Sequence, residues 1–198
     1  FRVACSNLGT VMVASSMNMD FVAQRELNIF NALTAEVYLE AGTSRITVSS
    51  ELNLDEIKDI SDTLIHNADK CQLEILVHGR ELLLITENDL LKPLADRGIL
   101  KRNSTVNLID RKGDSFPLKR LGTRTLIYHS KVFNMLEHVE LIRESGVDVL
   151  RLDLSLNNKN YIRDTIKAYR SVIAGKRPKV ATRKDEFYTE GHYFEGVL

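Results

Sequence analysis

Leu73-Glu-Ile-Leu-Val-His-Gly-Arg-Glu-Leu-Leu-Leu-Ile-Thr-Glu-Asn-Asp-Leu-Leu91 is the stretch that organises the chain. An apolar run from Leu73 to Val77 stops at His78-Gly79. A second run, Leu82 to Ile85, leads into the acidic-polar patch Thr86–Asp89. A short apolar run of this kind reads as a strand covered on both faces, as in a parallel sheet. His78 then stands at the strand's carboxyl end, where parallel sheets bind ligands, and Gly79 permits close backbone approach.

Upstream, the pattern alternates. Residues 10–16 (TVMVASS) and 21–27 (FVAQREL) read as strands. Phe30, Leu33 and Val37 fall at helical spacing up to Gly42, and Arg45–Ser49 is a short β-branched strand. Asn53 with Glu56 marks a helix start, whose face is Leu54, Ile57, Ile60 and Leu64. Strand, helix, strand, helix, strand implies parallel βα units.

Downstream, residues 92–130 break the rhythm with Pro93, Pro117 and a turn at Asp110–Gly113. Strand-like pieces at 105–109, 116–119 and 124–129 make this a β-hairpin excursion. Val132, Leu136, Val139 and Ile142 predict a helix stopped by Gly146, and Val147–Leu154 a strand. Asn157 or Asn158 caps a last helix with face Ile162, Ile166, Tyr169 and Ile173, ended by Gly175 and Pro178. The expected organisation is a main domain over 1–178 and a tail over 179–198, basic at first and then aromatic.

The totals bound the function. With 198 residues, 43% hydrophobic and 27% charged, the chain has room for one sizeable core. Its 27 basic and 27 acidic residues cancel, so no overall electrostatic footprint announces nucleic acid or an anionic membrane. No apolar run is long enough to span a bilayer and no signal peptide opens the chain, so no membrane partner is expected. Cys5 and Cys71 stand far apart in no metal-ligand spacing, which fits a reducing cytoplasm. The first residue is Phe1, as expected of a piece cut from something longer.

Six segments in order, LNIFNALTAEVYLEAG, RITVSSELNLDEI, LEILVHGRELLLI, NLIDRKGDSFPLKR, VDVLRLDL and YTEGHYFEGV, resemble peptidase family U32, the collagenase-like peptidases. The resemblance runs from about residue 20 to the end. It implies an α/β fold of TIM-barrel-like parallel βα units, here a partial barrel that pairs with an upstream half or self-associates. It also implies one of two activities. One is peptidase action on a polypeptide substrate. The other is oxygen-independent hydroxylation of RNA bases or quinones, in members with four cysteines for an iron–sulfur cluster, placed after the His-Gly and before the next strand. Residues 82–89 and 99–107 hold no cysteine, and Cys5 and Cys71 cannot supply four thiolates.

Each candidate site residue carries a functional and a bland reading. His78 is a general base or metal ligand, or a histidine bonded to backbone at the rim. Glu51, after Ser49-Ser50, is a base or ligand, or a charge favouring a helix start. Asn28 is a polar group at the preceding strand end, whereas Asn31 reads as an N-cap. Arg151 and Asp153 alternate with leucines, so they share one face and either bind substrate or pair with each other. His78 and Glu81 make an HxxE, but residues three apart on a strand face opposite ways. Asp110 and Lys112 read as a solvated turn, His192 as part of an aromatic tail. The run Gly175–Lys179 with Arg183 and Lys184 is a local basic patch, an RNA contact or a solvated linker.

The expectation is a peptidase with His78 and Glu51 handling protons, Asn28, Arg151 and Asp153 positioning substrate, and a divalent metal as a candidate cofactor. The alternative is a non-catalytic RNA- or protein-binding half-barrel, or an accessory to RNA or quinone hydroxylation.

Overall fold

In the computed structural model of the chain, residues 2–67, 71–100, 106–177 and 187–195 are described. Thr105, Pro178, Lys179, Arg183 and Lys184 from the expectations above lie outside them.

The first half is built of repeated βα units: β1 (Val3–Cys5), α1 (Leu8–Ser16), β2 (Phe21–Ala23), α2 (Ala32–Glu40), β3 (Arg45–Thr47), α3 (Leu54–Asn67) and β4 (Gln72–Gly79). A second group follows: β5 (Leu82–Thr86), α4 (Lys92–Asp96), β6 (Val106–Ile109), β7 (Ser115–Leu121) and β8 (Arg124–Tyr128). The chain then returns through β9 (Val132–Asn134), α5 (Val139–Glu144), β10 (Val149–Asp153), α6 (Lys159–Ile173) and β11 (Tyr188–Thr189).

Strands β1, β2, β3, β4 and β10 lie side by side in that order, all parallel. Among the described residues β1 pairs only with β2 and β10 only with β4, so the parallel sheet is open at both edges. β9 runs antiparallel to the end of β4 and carries β11 beside it. Strands β5-β8-β7-β6 form a separate antiparallel sheet, the expected excursion, which begins earlier than foreseen, at Leu82.

The core lies between the parallel sheet and its helices. Ile46, Leu73, Ile75 and Val77 from the strands meet Ile57, Ile60 and Leu64 of α3, all buried. The α3 start is the expected reciprocal cap: Glu56 N–H donates to Asn53 Oδ1 and Asn53 N–H to Glu56 Oε2, both at 2.9 Å. Asn31 and Asn158 cap α2 and α6 by a single bond each, the side-chain oxygen accepting from Thr34 N–H and Tyr161 N–H.

Several expectations are corrected. Residues 10–16 are helix, not strand: Asn7 caps α1 by accepting from Thr10 N–H at 3.0 Å. A stretch apolar on every side carries neither period, so its β-branched residues gave a false strand. The true first strand is Val3–Cys5. β2 ends at Ala23, and Arg25–Leu27 turn into a 3-10 helix closed by Asn28. Val132 belongs to β9, and the helix expected from it is a 3-10 turn at Leu136–His138 followed by α5. On α6 the buried face is Tyr161, Thr165, Ala168, Tyr169 and Val172, leaving Ile166 and Ile173 exposed. On α2, Ala35 and Tyr38 are buried, while Leu33 and Val37 face outward.

Candidate functional site

Three of the parallel strands deliver polar groups to their carboxyl ends. Arg25 follows β2, Ser50 and Glu51 follow β3, and Glu81 follows β4. Glu81 joins them: it accepts from Arg25 at 2.9 Å and from the Ser50 hydroxyl. The Arg25 guanidinium pairs with that carboxylate and fixes its orientation.

Gly79 makes this turn possible. Its φ is +129°, and a Cβ there would stand 2.1 Å from the Asp153 carbonyl oxygen of β10. Arg80 then donates to the His129 carbonyl at 3.0 Å and to the Ser130 carbonyl, and His129 N–H donates to the Glu81 carbonyl at 2.8 Å. The 129–131 loop is thereby clamped over the end of β4. His129 Nδ1 accepts from Lys131 N–H at 2.9 Å, so the proton of its neutral ring sits on Nε2.

The tail closes the other side. Val132 N–H donates to the Phe187 carbonyl at 2.8 Å, and Leu54 N–H to the Tyr193 carbonyl at 3.0 Å. Tyr193 is buried edge-on against Phe133 and donates to the Leu76 carbonyl at 2.8 Å. Burial raises its phenol pKa, and the charge of Glu81 raises it further, so it remains a donor.

These elements enclose a cleft of about 470 Å³ whose polar wall includes Glu51, Glu81, His129, Lys131 and His192. Leu82, Leu83 and Phe133 supply its apolar wall. It can offer carboxylate acceptors, an imidazole N–H and an ammonium to a polar substrate lying on an apolar floor.

Of the expected site residues, Glu51 lines this cleft and His78 does not. His78 is 1% exposed, with Nε2 2.9 Å from the Tyr161 hydroxyl and its ring edge-on to Tyr169. The reason is a bulge in the β4–β10 register: Arg151 pairs with Leu76, but the next residue, Leu152, pairs with His78. One extra residue moves His78 to the helix-facing side. The bulge carbonyls are satisfied, Leu76 by Tyr193 and Val77 by Tyr169 at 2.7 Å and Met135 N–H at 3.0 Å.

Arg151 does not pair with Asp153. It donates to Gln24 at 2.6 Å and approaches Glu74 at 3.4 Å. Glu74 is buried and also accepts from Arg45 at 3.0 Å and Thr47 at 3.0 Å. This network on the face opposite α3 was missed; its one signal was a carboxylate inside LEILV. Asp153 caps Ser155 N–H at 3.1 Å, and Asn28 is exposed with φ +54°. Arg25, His129 and Lys131 were also missed as site residues, and Glu81 was considered only with His78 as an HxxE, because these groups converge only through the fold.

Among the described residues no three of His, Cys, Asp and Glu gather to hold a metal. The thiols do not fit a cluster. Cys5 is buried at the end of β1, and Cys71 lies at the opposite, amino-terminal end of β4, its thiol pushed up to about 11 by burial and by Asp148. Two thiols at opposite ends of the sheet cannot together supply the ligands of a cluster. No described helix is long and apolar enough to cross a membrane.

The model of peptidase family U32 matches residues 2–190. This chain belongs to peptidase family U32. Within the family it is similar to an uncharacterized protease of Methanocaldococcus jannaschii, 26% identical over 177 residues, covering 86% of this chain and 43% of that protein. It is also similar to tRNA hydroxylation protein P of Helicobacter pylori, 24% identical, covering 75% of this chain and 37% of that one. A third relative is tRNA hydroxylation protein P2 of Bacillus subtilis, 24% identical, covering 72% and 47%. This U32 chain thus spans less than half the length of these relatives. No solved structure matches it.

Proposed function

We propose that this U32 chain is an RNA-binding part of a tRNA-hydroxylation-type protein, and that its rim cleft takes up a nucleotide. The observation that carries this reading is the similarity to tRNA hydroxylation proteins across about three quarters of the chain. The cleft suits a base: Leu82, Leu83 and Phe133 offer an apolar floor, while Glu51, His129 and Lys131 meet polar edges and phosphate. The five sequential parallel strands form an arc of a TIM-barrel-like domain, and further βα units or a second copy cover its open edges. The thiols present do not fit an iron–sulfur cluster, so any such group would come from elsewhere.

Binding of a labelled, unmodified tRNA transcript tests the reading. The chain binds it at or below about 10 μM in low salt, with affinity falling as salt rises. The pair Glu51→Ala and His129→Ala weakens binding about tenfold, the loss of one or two hydrogen bonds. A chain with no affinity for tRNA at 50 mM salt contradicts it.

A second reading, peptide hydrolysis, is favoured by the M. jannaschii relative and by carboxylates beside an imidazole in the cleft, a pair suited to activating water. Cleavage of casein that disappears in Glu51→Ala supports that reading instead.

A further inference from the structure

The chain as a whole is neutral, but residues 86–131 hold ten Lys and Arg against five Asp and Glu. Of the ten, Lys119, Arg120 and Arg124 lie on β7 and β8, Arg111 and Lys112 in the turn between β6 and β7, and Lys131 just after β8. Two of those cations are engaged, Arg120 with Asp89 at 2.5 Å and Arg124 with Glu87 at 2.9 Å. Arg111, Lys112, Lys119 and Lys131 are exposed, and none forms an ion pair among the described residues.

The strand register decides where three of these point. Leu82 of β5 pairs with Tyr128 of β8, which fixes the end of the sheet nearest the rim cleft. On β7, Leu118 pairs with Ile127 and the two strands run antiparallel, so β7 begins at the end of the sheet where β8 finishes. Ile109 pairs with Ser115. The turn joining β6 to β7 thus projects at the cleft end of the sheet, the same end at which β8 leads into the loop that carries Lys131. The turn is rigid: Asp110 Oδ1 accepts from Lys112 N–H at 2.8 Å and Asp114 N–H at 2.9 Å, and Gly113 adopts φ +90°. Asp110 is the turn's internal staple, and Arg111 and Lys112 are its exposed tip.

We propose that Arg111, Lys112 and Lys131 form a basic lip beside the rim cleft that grips the phosphodiester backbone of an RNA whose nucleotide enters the cleft. This deepens the RNA reading above and rests on it. The cleft mixes acid and base, so it cannot attract a polyanion by charge; the lip supplies that attraction and sets the strand's direction of entry. Lys119, two rows further along β7, extends the track away from the cleft.

The test compares the wild-type chain with Arg111→Glu/Lys112→Glu and, separately, Lys131→Ala, using a labelled tRNA transcript from 50 to 200 mM salt. The double variant is expected to bind at least tenfold more weakly at 50 mM. Its plot of log affinity against log salt should flatten by about two, one per lost phosphate contact. Lys131→Ala should lose about one. The tip is an exposed turn, so charge reversal leaves the fold intact, checked by circular dichroism; Lys131→Ala keeps the test open if it does not. Wild-type binding with unchanged affinity and slope in both variants overturns the lip and leaves the RNA reading standing. A wild type that binds no tRNA overturns both. Displacement of tRNA by poly-glutamate, charge for charge, marks an acidic-polypeptide surface and overturns the lip as an RNA grip.

Discussion

At the scale of single residues, two positions on β4 bear most on how the sheet is held together. Gly79 is needed twice, for its positive φ and for the space a Cβ would take from the Asp153 carbonyl. Gly79→Ala should therefore cost roughly 2–3 kcal/mol, lowering the melting temperature by about 4–12 °C. Gly122, with φ +63° and open space around it, is the control: its alanine variant should cost only about 1 kcal/mol. Equal losses in thermal melts would mean the close approach of β4 and β10 does not matter. Glu74 is the second position. It is buried while both arginines around it are partly open to water. Glu74→Ala should cost about 2 kcal/mol, less than a fully buried pair because solvent screens the guanidiniums. An unchanged denaturation midpoint would contradict that. His78 shows where sequence reading stops at this scale. Its place near the end of β4 was legible from LEILVHG, but the bulge that turns it toward α6 leaves no mark in the sequence. A bulge depends on the partner strand's register, and Leu152 lies 74 positions away.

At the scale of elements, β4 is pinned at its start as well as its end. Asp148 accepts from Leu73 N–H at 2.8 Å and, with burial, raises the Cys71 thiol pKa to about 11. The folded state thus favours the neutral thiol over the unfolded chain, where the value is near 9.0. This contribution is fully present below pH 9, and is lost as pH rises from 9 toward 11. Between pH 8 and 10.5 the wild type should lose about 1–2 kcal/mol more than Cys71→Ser in urea unfolding. Parallel curves for the two proteins would show the thiol ionising freely. Element boundaries were readable where a local device marks them, as with Asn53 and Glu56 on α3 or Asn158 on α6. They were unreadable where tertiary packing chose. α1 has no charged residue and exposes Leu8, Met12, Val13 and Met17, so no polar face betrayed its helical period. The α6 face was misplaced by one position because Thr165 and Ala168, not Ile166 and Ile173, pack inward.

At the scale of the molecule, the alternation of βα units and the excursion were legible because each strand and helix keeps its own period. The cleft was not. Its walls come from residues 51, 81–83, 129–133 and 189–192, and only the topology brings these together. The outward apolar faces of α1 and α2 differ from α3, which carries a Lys58–Asp62 pair on its surface. The claim on which the rest depends is that RNA enters the rim cleft. Photo-crosslinking of a 4-thiouridine-containing tRNA transcript to the chain, with the attached peptides mapped by mass spectrometry, tests it directly. Crosslinks are expected in the peptides holding Glu81–Leu83, His129–Phe133 and Thr189–His192. Crosslinks confined to α3 and α6, or none at a protein concentration that saturates binding, would contradict it.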